Sequence, residues 1–295
     1  MITHPQISII VLTLNEEKNI ARCLENIFNQ KTKYSFEVIV IDSSSSDGTV
    51  DIVNQFPVKL KKILRSEFHH GGTRNLGAEL SKGEYLVYLA GDAFPNSDHW
   101  LDSLINPFQN NELLCAVYGK QIPKLDCNPI NKFRLSWNYP DKKIFKNQES
   151  ISSLGHRNYF FSTVNCSIRR QSWNSIKFRG DIPIFEDTAF AKELINSGFT
   201  IFYEPSACVI HSHNLCIIDL IKRYKEVGFV QTKFSFIENL GKSYRSEGFD
   251  YLFSGIRVIA KKNSAYWVII FIFQTFFGFI GLNYGRYLAN SGKEL

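Results

Sequence analysis

The stretch that most constrains this chain is Tyr85-Leu86-Val87-Tyr88-Leu89-Ala90, an apolar and aromatic run that stops at Gly91-Asp92. Such a run, with no polar alternation, reads as a strand buried on both faces, as in a parallel sheet. In open α/β sheets, ligands bind in the crevice beyond the carboxyl ends of the strands. An aspartate there can hold a divalent cation, and the cation can hold a diphosphate. Asp92-Ala93-Phe94-Pro95 also has the composition of an ordinary turn, so the stretch does not decide by itself.

Two earlier runs have the same form. Ile7–Thr13 is β-branched and nearly all apolar, and ends at Leu14-Asn15-Glu16-Glu17. A helix follows, with Ile20, Leu24, Ile27 and Phe28 on one face and Asn15 as its N-cap. Phe36–Ile41 ends at Asp42 and enters the turn-rich Ser43–Thr49, after which Val50, Ile52 and Val53 open another helix. Strand and helix alternating over short connections imply right-handed βαβ units and a parallel sheet. Between the second and third runs, the glycines of His69-His70-Gly71-Gly72-Thr73-Arg74-Asn75 suit a tight turn into a helix carrying Leu76 and Leu80. Arg74 at that helix start can meet a phosphate or a base. The two histidines read as exposed loop residues.

Downstream, a helix is expected around Trp100, Leu101, Leu104 and Ile105, and strands at Val117–Gln121 and within Tyr159–Ile168. The segment 123–155 has no clean period and reads as a long excursion over the active face. Arg169-Arg170 read as a solvated turn. Glu186-Asp187 opens an amphipathic helix that ends at Ser197-Gly198, a good C-cap. Acidic residues are favoured in a helix first turn by the macrodipole, so this pair has an ordinary explanation as well as a chemical one. Phe199–Tyr203 reads as a strand, and Cys208-Val209-Ile210 leads to His211-Ser212-His213. Alternate residues on a strand point the same way, so both histidines can face one site. A purely structural role is the plainer alternative.

The net charge of +6 fits anionic substrates or an anionic membrane surface and is too small to argue for nucleic acid. Six cysteines without a C-x-x-C pair indicate reduced thiols in a cytosolic protein, not a disulfide framework or a zinc site. Met1–Gln6 runs straight into a strand pattern, with no secretory signal visible. The tail changes character: residues 216–295 hold eleven Lys/Arg and six Asp/Glu, +5 of the whole charge. Within it, Ala265–Leu282 is an uncharged run of eighteen residues, preceded by Arg257, Lys261 and Lys262 and followed by Arg286. It is long enough to span a bilayer. It can equally lie in the interface as an aromatic-rich helix, or pack as a core helix. Membrane contact is the favoured expectation, and the basic flank suits anionic lipid.

Over roughly residues 6–215 these landmarks together resemble the glycosyltransferase family 2 enzymes of GT-A fold. The elements follow the family's order: Ile9–Glu16, Val40–Thr49, Thr73–Gly77, the strand ending at Asp92, and Glu186-Asp187. Gly91–Pro95, Asn138-Tyr139-Pro140 and His211–Asn214 look more like the bacterial rhamnosyltransferase branch. The resemblance implies a Rossmann-like, mostly parallel sheet flanked by helices in residues 1–215. It is followed by a helical, membrane-associating appendage in 216–295. By position, it implies that Thr13, Asn15 and Glu16 line the nucleotide pocket, that Asp42 contacts the base or ribose, and that Arg74 sits near the base or diphosphate. Asp92 looks like the last Asp of the family's Asp-x-Asp metal motif. Ala90 stands where the first Asp is usual, so Mg²⁺ or Mn²⁺ would be held more weakly, or with help from His211 or His213.

Asp187, with Glu186 beside it, is implied as general base. A sugar hydroxyl is a poor nucleophile, and a carboxylate within hydrogen-bond reach must take its proton. The cation offsets negative charge growing on the leaving diphosphate. One base and no covalent intermediate mean inversion at the anomeric carbon. The implied partners are a dTDP- or UDP-sugar donor, with dTDP-rhamnose foremost, and a lipid-linked or polysaccharide acceptor such as O-antigen at the cytoplasmic face of the cell membrane. A sugar-nucleotide nucleotidyltransferase is the second enzyme reading, although Thr13–Glu17 is acidic where a basic, Gly-rich triphosphate loop is expected. A non-catalytic, membrane-tethered nucleotide-binding or scaffold protein is the third.

Overall fold

The structure is a computed structural model that describes residues 4–234 and 241–294. The three apolar runs form strands where their composition demands them: β1 (Ile7–Thr13), β2 (Phe36–Asp42) and, after the short β3 (Lys59–Lys62), β4 (Tyr85–Ala90). Helices α1 (Ile20–Phe28), α2 (Thr49–Val53) and α3 (His70–Leu80) connect them. Next come β5 (Phe94–Pro95), α4 (Trp100–Ile105), β6 (Leu114–Ile122), α5 (Pro129–Asn138), β7 (Ile144–Lys146) and α6 (Ile151–Leu154). The sheet domain closes with β8 (Asn165–Arg169), α7 (Arg170–Ser175), α8 (Glu186–Asn196) and β9 (Thr200–Ile210).

The strands make one sheet in the order β3-β2-β1-β4-β8-β6-β9-β5, with β7 also on β9. Strands β1 to β4, β6 and β9 run one way, while β8, β5 and β7 run against them. Among the described residues six of the nine strands thus share one direction, and the sheet is mixed, with four parallel and four antiparallel pairings. The antiparallel β8 is inserted between β4 and β6. Period-two alternation splits β1 between two cores: Ile7, Ile9 and Val11 pack under α1 and α4, and Ile10 under α3 and α8. All six cysteines are unpaired.

Several expectations are corrected. The N-cap of α1 is Asn19, not Asn15; Asn15 has a left-handed φ of 54° and belongs to the loop that β1 ends in. Gly71 and Gly72 lie inside the first turn of α3, not in a turn before it. A Cβ at Gly71 would stand 2.1 Å from the Arg179 carbonyl oxygen, so close approach explains that glycine. The segment 123–155 is not an irregular excursion, because α5, β7 and α6 occupy it. Arg169 and Arg170 are not a solvated turn. Arg170 donates to the carbonyls of Gly83 and Ala78 and to Ser81, and Arg169 to those of Leu114 and Phe108. The two strands expected at Phe199–Tyr203 and Cys208–Ile210 are one continuous strand, β9, which begins at Thr200.

Among the described residues, three helices follow β9: α9 (Ile217–Lys233), α10 (Gly241–Lys262) and α11 (Ala265–Asn290). They are joined to the sheet domain by apolar packing. Phe229, Val230 and Leu288 cluster with Ile182 and Ala189, and Ile259 and Phe271 with Ile130 and Phe133. Helix α11 is long and apolar enough to cross a membrane by length and composition.

Candidate active site

The loops after β1 and β2 are zipped together at the carboxyl end of the sheet. Asn15 Oδ1 accepts from the Ser46 N–H (2.8 Å), the Asn15 N–H donates to Ser45 Oγ (2.8 Å), and the Glu16 N–H donates to Thr49 Oγ1 (2.7 Å). The backbone is held in sparsely populated conformations here. Among the described residues, the non-glycine positions with left-handed φ are Asn15, Ser44 and Phe185, two in these loops and one directly before Glu186. Strain clustered in this way marks sites that the surrounding fold over-determines.

The residues expected in the nucleotide pocket take different places. Thr13 is buried and its Oγ1 has no hydrogen-bond partner within the protein. It lies beside Gly91, where a Cβ would approach to 3.0 Å. Glu16 accepts from Asn19 (2.6 Å); burial raises its pKa, with the nearby Asp92 charge adding to the effect. Asp42 is only 1% exposed and accepts from the N–H and the hydroxyl of Ser45. It anchors its own loop, so any contact with a base adds to that role. Arg74 Nη1 is turned toward the start of α8. It donates to Glu186 Oε1 and to the His70 carbonyl, both at 2.7 Å.

Asp92 and the two histidines do converge. Asp92 Oδ1 stands 3.4 Å from His211 Nε2, Asp92 Oδ2 stands 3.3 Å from His213 Nε2, and the two histidine nitrogens are 3.0 Å apart. All the ligand atoms lie within 4.8 Å of one another. The strand alternation of β9 carries on into this loop and aims both rings at the strand end of β4, as expected. Gln121 sets the outer edge. Its amide nitrogen donates to Tyr139 (2.6 Å) and Ser162 (2.9 Å), so its oxygen faces His211 Nδ1 at 2.8 Å. That oxygen can only accept, so Nδ1 carries a proton and Nε2 is the nitrogen turned toward Asp92, donating to the carboxylate when protonated and free to bind a cation when not. A carboxylate and two imidazole nitrogens form a donor set that suits a divalent transition ion such as Mn²⁺ better than Mg²⁺, which prefers oxygen. Lys124 Nζ, 3.4 Å from Asp92 Oδ2, adds a cation that sequence reasoning did not single out. Burial alone would raise the Asp92 pKa, but the hydrogen bond from His211 and the charges of His211, His213 and Lys124 hold it well below the usual carboxylate range.

The second acidic landmark sits at the start of α8. Glu186 is buried and engaged by Arg74. Asp187 is half-buried and accepts from the Thr188 N–H at 2.7 Å. Burial, reinforced by the Glu186 charge, pushes its pKa up to about 7, against the opposing pull of Arg74 and Arg223. His70 is not an exposed loop residue. It opens α3, and burial lowers its pKa against the pull of Glu186. Arg223, on α9, acts on Asp187, His70 and His213 alike. Gln121, Lys124 and Arg223 carried no sequence signal, because each gains its meaning from a neighbour distant in the chain.

A Rossmann-like sheet with a carboxylate-imidazole cluster and a separate raised carboxylate beyond its strand ends has the layout of a GT-A glycosyltransferase fold. Comparison with known proteins makes the class definite. Residues 8–175 match the profile of glycosyl transferase family 2, and the chain belongs to that family. It is 30% identical over 290 residues to the O-antigen chain rhamnosyltransferase WbaN of Salmonella anatum, covering 96% of this chain and 90% of that protein. It is also 30% identical to the O-antigen chain rhamnosyltransferase RfbN of Salmonella typhimurium, with the same shares. Among solved structures, it resembles the mannosyltransferase PcManGT from Pyrobaculum calidifontis in complex with GDP-Man and Mn²⁺. The TM-score is 0.65 at 15% identity, with 99% of this chain and 89% of that chain covered. S. aureus TarS 1-349 in complex with UDP-GlcNAc is similar with a TM-score of 0.54 at 16% identity, with 98% and 92% covered. Family membership sets aside the nucleotidyltransferase reading.

Proposed function

We propose that this glycosyltransferase is metal-dependent and inverting. It transfers L-rhamnose from dTDP-rhamnose to a lipid-linked glycan, such as a growing O-antigen chain, at the cytoplasmic face of the cell membrane. Residues 1–215 carry the transfer chemistry and residues 216–295 the membrane association. The observation that carries the reading is the separation of two acidic centres beyond the strand ends. Asp92 is strongly acidic and lies in a cluster of nitrogen and oxygen donors, whereas Asp187 holds its proton to near neutrality. One suits a cation and a diphosphate; the other suits proton abstraction.

In this reading Asp92, His211 and His213 hold Mn²⁺, which when bound offsets charge on the leaving diphosphate. Lys124 adds positive charge on the same side. The unpartnered Thr13 hydroxyl and the zipped loops around Asn15 and Glu16 receive the nucleotide, and Asp42 keeps its loop in place. Asp187 takes the proton of the acceptor hydroxyl, while Arg74 neutralises Glu186 so that a single carboxylate remains to act as base. The WbaN and RfbN names and the resemblance of Gly91–Pro95, Asn138-Tyr139-Pro140 and His211–Asn214 to the rhamnosyltransferase branch support rhamnose as the donor sugar.

The test is transfer from dTDP-rhamnose and from UDP-sugars to a lipid-linked glycan acceptor, with and without Mn²⁺. Mn²⁺-dependent turnover with dTDP-rhamnose, with inversion read by NMR of the product, is expected. Tight nucleotide binding without turnover on any acceptor would instead establish a non-catalytic binding protein.

A further inference from the structure

Helix α11 has two faces of opposite fate. Phe271, Gln274, Gly278, Gly281, Gly285 and Leu288 are buried, and the glycines let the helix close onto α9. A Cβ at Gly281 would stand 2.6 Å from the Ile221 carbonyl oxygen, and one at Gly285 would stand 1.9 Å from that of Lys225. On the opposite face Ile269, Phe273, Phe276, Ile280 and Tyr284 are 44–57% exposed. At spacings of three and four residues they form one stripe, roughly 22 Å long at the helical rise.

We propose that α11 lies in the interface of an anionic lipid bilayer with this stripe turned toward the lipid, and that it does not cross the membrane. Its neighbour α9 prevents crossing. The glycine contacts advance in step along both helices, so α9 runs beside α11 and brings Asp219, Lys222, Arg223, Lys225 and Glu226 to the same level. Charged side chains are costly in hydrocarbon, and a helix bound so closely to them cannot enter it alone. An in-plane orientation leaves those charges outside and buries the stripe. Charge complementarity selects the occupant. Arg257, Lys261 and Lys262 are exposed at the end of α10, immediately before α11, and Lys222 is exposed on α9; basic clusters at a membrane surface bind anionic headgroups. Tyr266 and Tyr284, both exposed, have the amphipathic rings favoured at that depth.

The proposal deepens the functional reading and rests on it for its purpose. Helix α8, which begins with Glu186 and Asp187, packs Ala189 into the cluster of Phe229, Val230 and Leu288 from α9 and α11. The candidate base is thereby held directly on the helices that meet the lipid, as an acceptor anchored in the bilayer requires.

The experiment is flotation of the purified full chain with phosphatidylcholine vesicles, with and without phosphatidylglycerol. In parallel, the thermal shift given by dTDP and Mn²⁺ is measured. Binding to the anionic vesicles only is expected, as is release of the protein from cell membranes by alkaline carbonate. The double variant Phe276→Ser/Ile280→Ser changes two exposed side chains. It should bind at least tenfold more weakly and keep the nucleotide-induced shift, whereas Phe276→Trp should keep vesicle binding. Unchanged binding by the double variant, or no binding to either vesicle, overturns the proposal. Retention after carbonate would make α11 a span. A dimer in lipid-free solution that the double variant dissolves would make a second copy the occupant. Flotation without any nucleotide shift would leave the docking helix standing and remove the enzymatic reading.

Discussion

Arg74 donates to Glu186 across 2.7 Å, with both side chains nearly buried, and so ties α3 to the first turn of α8. The pair neutralises the carboxylate next to Asp187. Removing one member of a buried ion pair leaves the other uncompensated, at a cost of about 3–5 kcal/mol. Arg74→Ala should therefore lower the melting temperature clearly, whereas the double variant Arg74→Met/Glu186→Met should recover much of the loss. Thermal denaturation of the three proteins checks this. Equal melting points for Arg74→Ala and the wild type would show that the pair does not hold α8.

In the proposed mechanism Asp187 takes the proton of the acceptor hydroxyl. Asp187→Asn should reduce transfer by roughly 10²–10⁴-fold, the usual contribution of a positioned base, and leave nucleotide binding intact. Glu186→Gln should cost less, since Glu186 is engaged by Arg74. Single-turnover transfer, with dTDP binding measured separately, distinguishes the two.

The pH profile follows from the same group. Asp187 acts as a base only when ionised, and its pKa is raised from 3.8 to about 7. The rate should therefore climb as pH rises through about 7 and level off above it. The stability effect has the opposite sign. The folded protein holds this proton more tightly than the unfolded chain, so ionising Asp187 costs stability as pH rises from about 4 to about 7. Asp187→Asn should melt higher than the wild type at pH 8 and show little gain at pH 4.

Gln121 fixes the tautomer of His211 through a single 2.8 Å contact. Outer groups of this kind typically govern metal affinity by about 10–100-fold. Gln121→Glu keeps an acceptor for His211 Nδ1, whereas Gln121→Leu does not. The leucine variant should require that much more Mn²⁺ for half-maximal activity, and the glutamate variant should stay near the wild type. Isothermal titration with Mn²⁺ gives the same comparison without turnover.

The α9–α11 seam depends on its glycines. Gly285→Ala places a methyl group 1.9 Å from the Lys225 carbonyl oxygen, and overpacking of this kind costs about 1–3 kcal/mol. A methyl group at Gly248, in α10, would meet nothing within 4 Å, so Gly248→Ala should be neutral or stabilising by about 0.5–1 kcal/mol. Melting temperatures of the two variants, moving in opposite directions, test the seam.

The central strands β1, β2 and β4 were legible from the sequence because they are buried on both faces, whereas the short edge strands β3 (Lys59–Lys62) and β7 (Ile144–Lys146) carry no such apolar run. Ile7–Thr13, Phe36–Asp42 and Tyr85–Ala90 can satisfy their apolar runs only there, and the acidic ends Asp42 and Asp92 follow from where those runs stop. The alternation of His211 and His213 and the amphipathic helix after Glu186-Asp187 were local signals as well. Only the tertiary structure decided what those groups do to one another. Arg74 and Glu186 are far apart in the chain, as are Gln121 and His211, or Lys124 and Asp92, and no local pattern encodes their meeting. Helix α11 makes the same point. Its uncharged sequence permits spanning, docking or burial alike. The close backbone contact with charged α9 separates these outcomes, because it determines which charges must accompany the helix into any membrane.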